Sequence, residues 1–136
     1  MPIQNDDQLQ EVLQIDTIAV VGASTTPGKA AHGVPQYLLN HGYTVIPVNP
    51  YADQIFGIDA YDSIEDIEQN VDLVDVFRPS AETGPIVNAA LNRDDIQTIW
   101  LQLGIRNNEA ADRAEAAGKH FVQDRCIKIE HERLLD

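Results

Sequence analysis

Small residues follow the first β-branched run of the sequence, where a strand would turn towards a helix. The run Thr17–Val21 is followed by Gly22, Ala23 and Ser24, and then by a loop that contains proline and another glycine. Small residues let a backbone approach a diphosphate closely, and the next helix would offer free N–H groups with a partial positive charge. The Ser24 hydroxyl could add a donor. This stretch predicts a phosphate-binding corner; the alternative is that Gly22 only turns the chain.

The loop matches neither of two common phosphate-binding motifs. Position 24 is serine and position 27 is proline, so the pattern is not G-x-G-x-x-G. Gly28 and Lys29 lack the earlier glycine and the following serine or threonine of a P-loop. The sequence therefore argues against ATP hydrolysis of the P-loop type.

The end of the second predicted strand bears on which nucleotide would bind. NAD-binding domains usually place an acidic residue there, which holds a ribose hydroxyl. Here the residues are Val48, Asn49 and Pro50, and the first carboxylate is Asp53. No arginine that could hold a 2′-phosphate stands there either. These residues disfavour NAD(P), although the Asn49 amide could still bind a hydroxyl group.

Three basic residues follow predicted strands in a chain that has few of them. Lys29, Arg78 and Arg106 all come after strands, and a phosphorylated ligand needs such groups. For each alone, surface solubility or pairing with a neighbouring acid is an equal alternative. Their shared placement on one rim of the sheet favours ligand binding.

Cys126 is a weaker candidate, as a catalytic thiol. A reactive thiolate needs a nearby base or positive charge, and Arg125, Lys128 and His131 are close in sequence. The alternative, which we favour, is a structural cysteine. The four histidines show no metal-ligand spacing, so no metal site is predicted; His32 alone lies in the predicted ligand loop.

Composition excludes several classes of function. The 136 residues include nine basic and 22 acidic residues, giving a net charge of −13 and a pI of about 4.4. Nucleic acids and anionic membranes would be repelled by such a surface. A single cysteine and the lack of a signal-like N-terminus or a long apolar run favour the cytoplasm. The acidic surface also suits a salt-rich, halophilic cytoplasm; an acidic mesophilic protein is the alternative.

Short apolar runs alternate with amphipathic segments along the chain, which is typical of a parallel sheet built from β-α-β units. We expect one domain over residues 1–136, with a leading helix in 1–16 and a C-terminal extension over 124–136. The predicted fold is a Rossmann-like, doubly wound α/β/α sandwich with five to six strands. The strands are predicted at 17–21, 44–48, 58–61, 71–77, 98–103 and 119–123, and the helices at 6–14, around 34–41, 63–68, 79–91 and 108–117.

Several stretches together resemble the small stand-alone CoA-binding domain family, which is similar to the CoA-binding domain of the succinyl-CoA synthetase α subunit. The matching stretches are IAVVGAS, YLLNHGYTVIPVNP, VDLVDVFRPS, IWLQLGIRNNEAADRAEAAG and DRCIKIEH. They cover nearly all of residues 17–131. The resemblance implies a Rossmann-like sheet that binds coenzyme A across the crevice that dehydrogenases use for NAD.

The resemblance also implies which residues meet the cofactor. By this resemblance, Gly22, Ala23 and Ser24 would contact the diphosphate, and Lys29 would contact a further phosphate. Val48, Asn49 and Pro50 would line the path of the adenosine or the pantetheine. The residues that border the site would be Phe77, Arg78, Gln102, Leu103 and Gly104. Relatives often carry a second basic residue where this chain has His32 and Gly33, which bears on the 3′-phosphate contact.

The predicted function is a non-catalytic module that binds coenzyme A or an acyl-CoA, as a carrier, a sensor or the partner of a separate enzyme. No paired acid and base with a recognisable spacing supports chemistry. The phosphohistidine domain and partner subunit of the synthetase have no counterpart in the sequence, so ligase activity is not implied. The alternatives are an NAD(P)-dependent oxidoreductase and a thiol enzyme or redox sensor using Cys126. A homo-oligomer or a partner enzyme is compatible with each reading.

Overall fold

Five parallel strands form the central sheet in the computed structural model, which describes residues 2–135. These strands are β1 (Thr17–Val21), β2 (Thr44–Val48), β5 (Leu73–Val76), β6 (Thr98–Leu101) and β7 (His120–Val122). Their order is β2-β1-β5-β6-β7. The chain adds β2 on one side of β1 and then crosses over to add β5 on the other side. The crevice at the carboxyl ends of β1 and β5 is therefore the topological switch point, where such folds bind ligands.

Helices cover both faces of this sheet, as runs of buried apolar residues on every strand require. The helices are α1 (Asp6–Val12), α2 (Ala30–Asn40), α3 (Thr83–Leu91), α4 (Asn108–Ala116) and α5 (Ile127–Leu134). One core cluster joins the sheet to α1, α2 and α5, and the other joins it to α3 and α4. The doubly wound α/β/α fold predicted from the sequence is confirmed. None of the helices within residues 2–135 is long and apolar enough to cross a bilayer.

The sixth strand predicted at 58–61 does not join the sheet as a regular strand. Instead β3 (Gln54–Ile55) and β4 (Ile58–Asp59) form a separate antiparallel ribbon. Tyr61 makes a single parallel bridge to Val48 on the outer edge of β2, donating its N–H to the Pro47 carbonyl. Since Pro47 has no N–H of its own, the outer edge of β2 cannot support a full ladder.

The predicted helix over 79–91 is divided. A 3₁₀ turn at Ser80–Glu82 precedes α3. The Ser80 hydroxyl accepts a hydrogen bond from the Arg106 N–H at 3.0 Å. The contact joins the segment after β5 to the segment after β6, at the edge where the candidate site lies.

One buried polar group has no partner in this core. Asp75 lies on β5 between Val20 and Trp100 of the neighbouring strands and is 0% exposed. Within residues 2–135 neither of its carboxyl oxygens has a hydrogen-bond partner. Burial without a hydrogen-bond donor raises the pKa of Asp75 well above its usual value, because the charged carboxylate cannot be solvated there.

Candidate functional site

Gly22 forms an open corner at the carboxyl end of β1. Its N–H donates to the Val48 carbonyl at 2.9 Å, and its φ of +85° lies in the left-handed region that glycine tolerates best. A Cβ atom here would lie 3.2 Å from the Phe77 carbonyl oxygen and 3.0 Å from Cδ of Arg78. The sequence therefore needs glycine at this position both to turn the chain and to leave room beside Phe77.

Asn49 ties this corner to the segment that follows β2. Its side-chain amide donates to the Ala23 carbonyl at 2.9 Å, and its Oδ1 accepts the Tyr51 N–H at 2.8 Å. Both ends of the side chain are thus engaged with backbone groups. Asn49 sets the relative position of the two loops that flank the corner, in addition to any bond it makes to a ligand.

A depression of about 350 Å³ opens beside the corner. Five of its lining residues belong to the predicted site: Gly22, Val48, Asn49, Pro50 and Arg78. The other five are Val21, Tyr51, Asp62, Glu82 and Ile86. The Arg78 guanidinium donates to both carboxylate oxygens of Glu82, at 2.9 and 3.0 Å, and about half of each side chain is exposed. An anionic ligand would have to compete with Glu82 for Arg78.

The loop between Gly22 and α2 presents unpaired amides. Ser24 is fixed within it, since its N–H donates to the Ala31 carbonyl and its hydroxyl accepts the Thr26 N–H. Lys29 is the N-cap of α2, and no side chain caps the helix. Within the described chain, the N–H groups of Ala30 and Ala31 donate to no protein acceptor. Uncapped first-turn amides of this kind suit a phosphate group.

Lys29 lines a second depression, of about 390 Å³, at the start of α2. Lys128 of α5 lines it too, so two of the three lysines of the chain share this place. His32 lies nearby in sequence, but its ring packs against Phe56 with 4.8 Å between ring centroids. The second positive charge beside Lys29 thus comes from a distant helix rather than from the loop itself.

A third depression, of about 440 Å³, lies beyond β6 and β7. Leu103, Arg106 and Cys126 are among its lining residues, and Leu103 is 65% exposed. Arg106 is paired with Asp124 at 3.2 Å, and Asp124 also accepts the Gly104 N–H. Cys126 is the half-buried N-cap residue of α5.

The remaining predicted residues pack beneath the surface of the site rather than lining a depression. Ala23 is fully buried in the cluster with α1, α2 and α5, and Phe77 packs against that cluster. Gln102 is buried, and its Oε1 accepts the Ile127 N–H at the start of α5. The twelve predicted residues are therefore spread over three depressions and their supports, all at the carboxyl edge of the sheet.

His131, considered above as a base for Cys126, makes a different contact. Its Nδ1 lies 2.7 Å from the Tyr37 hydroxyl, in an aromatic group with His41 and Tyr43. Within residues 2–135 no group of three or more His, Cys, Asp or Glu side chains could hold a metal ion.

Comparison with known families decides what kind of domain this is. The pattern of a family described as "CoA binding domain" matches residues 16–132, which is most of the chain. The chain belongs to this CoA-binding domain family. The family match spans every strand of the central sheet and all residues that line the depressions beside Gly22 and Lys29.

Members of the CoA-binding domain family with similar sequences occur both alone and within larger enzymes. The protein YneT of Bacillus subtilis is 35% identical over 125 residues, which are 91% of this chain and 92% of YneT. The ADP-forming acetate–CoA ligase of Methanocaldococcus jannaschii is 33% identical over 75 residues, which are 55% of this chain but only 11% of the ligase. The similarity to the ligase is therefore confined to one part of that enzyme.

Solved structures share this fold. A hypothetical protein from Pyrococcus horikoshii is 37% identical and superposes with a TM-score of 0.92, covering 100% of this chain and 97% of the other. A dinucleotide-forming acetyl-coenzyme A synthetase from Ca. Korarchaeum cryptofilum shares the fold, with a TM-score of 0.71, 24% identity and coverage of 83% of this chain and 26% of the synthetase.

The polar and aromatic lining residues that sequence reasoning missed in the depressions beside Gly22 and Lys29 are Tyr51, Asp62, Glu82 and Lys128. Glu82 carried a signal, since it stands four residues after Arg78, a spacing that brings side chains together on a helical turn. Lys128 carried none, because α5 meets α2 only through the tertiary fold.

Proposed function

We propose that this protein binds coenzyme A or an acyl-CoA at the Gly22 corner and catalyses no reaction of its own. The observation that carries the proposal is the open corner itself: a glycine at the switch point of the sheet, beside a depression and next to the uncapped start of α2. Family membership supports coenzyme A over other nucleotides.

In the proposed pose, the cofactor lies along the carboxyl edge of the sheet. The adenosine would lie beyond the end of β2, beside Asn49 and Pro50, since nucleotides in doubly wound sheets place the ribose there. The diphosphate would meet the 22–31 loop and its free amides. The pantetheine arm would extend past Phe77 and Arg78 towards Leu103 and Gly104.

The charges at the site bear on how tightly it would hold an anion. Arg78 and Arg106 are both paired with carboxylates, so their charges are partly neutralised. Within residues 2–135, no carboxylate forms an ion pair with Lys29, which is exposed beside the helix start. Of these three basic residues, Lys29 is therefore the most available to bind a phosphate.

Titration calorimetry tests the ligand class. Coenzyme A, acetyl-CoA, NAD and NADP would each be titrated into the full chain at one ionic strength. We expect heat from the two CoA compounds and none from NAD or NADP, because an acidic residue that would hold the NAD ribose is lacking after β2. Binding of NAD or NADP alone would contradict the proposal and favour an oxidoreductase.

Replacing the lysine at the start of α2 should weaken binding. We expect Lys29→Ala to reduce the free energy of CoA binding by about 1–3 kcal/mol, through loss of a charge-assisted bond to phosphate. Lys119→Ala is the matched control: it removes the same charge, but Lys119 lies before β7, at the opposite end of the strands. Equal affinities for the two variants would argue against the proposed pose.

The thiol of Cys126 should be dispensable for binding. We expect Cys126→Ser to bind CoA with the affinity of the wild type, because the proposed contacts to the diphosphate and adenosine lie beside Gly22 and at the start of α2, and Cys126 lines neither place. Calorimetry on both proteins under reducing conditions would measure this. A large loss of affinity, or transfer of the acetyl group from acetyl-CoA to the Cys126 thiol with release of free CoA, seen by mass spectrometry, would favour the thiol-based alternative.

A further inference from the structure

Tyr51 occupies an unusual place on the surface. It is 96% exposed, and a single exposed apolar side chain needs no explanation by itself. However, Tyr51 lines the depression that contains Gly22 and Arg78. An aromatic ring at the lip of a candidate nucleotide site offers a face on which a flat base can stack.

Hydrogen bonds of Asn49 fix the position of the Tyr51 backbone relative to the Gly22 corner. Its N–H donates to Oδ1 of Asn49, and the amide of the same side chain donates to the Ala23 carbonyl. Pro50, with its fixed φ, leaves little freedom between Asn49 and Tyr51. The ring is therefore carried by a segment whose distance from the diphosphate loop is set by two hydrogen bonds.

The charges around this lip favour a neutral group over a phosphate. Asp62 and Glu82 also line the depression, and Glu82 already neutralises Arg78. A phosphate placed here would meet two carboxylates, whereas an adenine ring carries no charge at neutral pH. The diphosphate has a better place at the free amides of α2.

We propose that Tyr51 stacks on the adenine base of the bound cofactor and fixes the adenosine end at the lip of this depression. The inference rests on the proposed function, because it assumes that an adenine nucleotide binds at the Gly22 corner. Tyr51 follows the last residue of β2 by three positions, on the side of the sheet where the adenosine of a doubly wound site lies.

Two substitutions distinguish the contribution of the Tyr51 ring to CoA binding from that of its hydroxyl group. We expect Tyr51→Ala to weaken CoA binding about tenfold, in the range that loss of one base–aromatic stack usually causes. Tyr51→Phe keeps the ring face and should bind within about twofold of the wild type. Because Tyr51 is exposed, neither variant should unfold, and circular dichroism would verify this.

A spectroscopic readout tests the contact directly. With ring-labelled tyrosine, addition of CoA to the wild type should move the Tyr51 ring resonances upfield, since a stacked base shields them. Tyr51→Ala identifies those resonances by their absence. Affinity unchanged in Tyr51→Ala, or equal losses in both variants, would overturn the stacking. If the wild type bound no CoA at all, the proposed function would fail first and this inference with it.

Discussion

Replacing Asp75 by asparagine should stabilise this protein at neutral pH, by more than about 1 kcal/mol in the free energy of unfolding. Asparagine has nearly the same shape as aspartate and carries no charge. The native site is fully buried, and its carboxyl oxygens have no partner within residues 2–135. An ionised carboxylate is therefore more unfavourable there than a neutral amide.

The effect should depend on pH in a definite direction. Burial raises the native pKa of Asp75 above the unfolded value of about 3.9. Between these two pKa values the native state binds more protons than the unfolded state, so the stability of the wild type falls as pH rises, by about 1.4 kcal/mol per pH unit. Above the native pKa the fall stops. Below about pH 4 the contribution of Asp75 is fully present, and wild type and variant should converge.

Urea unfolding of both proteins across this pH range would measure the difference. Asp112→Asn is the matched control, because Asp112 is exposed on α4 and its replacement changes the net charge by the same amount. A wild type and an Asp75→Asn variant whose stabilities run parallel from pH 4 to 7 would show that Asp75 is solvated or paired in solution.

The elements of the fold were predictable because each is specified locally. β1 and β2 begin and end at the residues that the β-branched runs predicted, Thr17–Val21 and Thr44–Val48. Trp100, in the apolar run of β6, is fully buried in the cluster with α1, α2 and α5. The sixth strand failed because its formation depends on the edge of β2 that Pro47 disrupts, and pairing at an edge is not a local property.

Contacts between distant side chains and backbone groups could not be predicted. Arg93 donates to the carbonyl groups of Ile64, Ile67 and Gln69 and pairs with Asp95. Hydrogen bonds from Arg93 lower the pKa of Asp95 to about 2. The sequence shows Arg93 only as one basic residue among many acidic ones, since the carbonyl groups that it binds lie 24 to 29 residues away.

At the site, the sequence predicted the edge of the sheet but not how its charges are arranged. The motif positions Gly22, Asn49 and Arg78 do line one depression. The pairing of Arg78 with Glu82 and of Arg106 with Asp124 appears only in three dimensions. Tyr51 was missed because an exposed aromatic residue in an irregular segment belongs to no periodic pattern.

Gly22→Ala should damage both the stability and the proposed binding site. A Cβ atom at this position would lie 3.2 Å from the Phe77 carbonyl oxygen, which is backbone and cannot move aside easily. The φ of +85° adds strain for any residue with a side chain. Together we expect a loss of about 2–3 kcal/mol in the free energy of unfolding.

Gly42→Ala separates the two causes. Gly42 has a similar φ of +92°, but a Cβ atom there would meet nothing within 4 Å. It should therefore suffer only the backbone strain, about 1 kcal/mol, and should bind CoA as the wild type does. The difference between the two variants reports the close approach of Gly22 to Phe77, measured by urea unfolding. Because the same Cβ would lie 3.0 Å from Cδ of Arg78, only Gly22→Ala should also weaken CoA binding. Equal behaviour of the two variants in both measurements would mean that a Cβ atom at Gly22 fits beside Phe77 and Arg78 and that the glycine serves the turn alone.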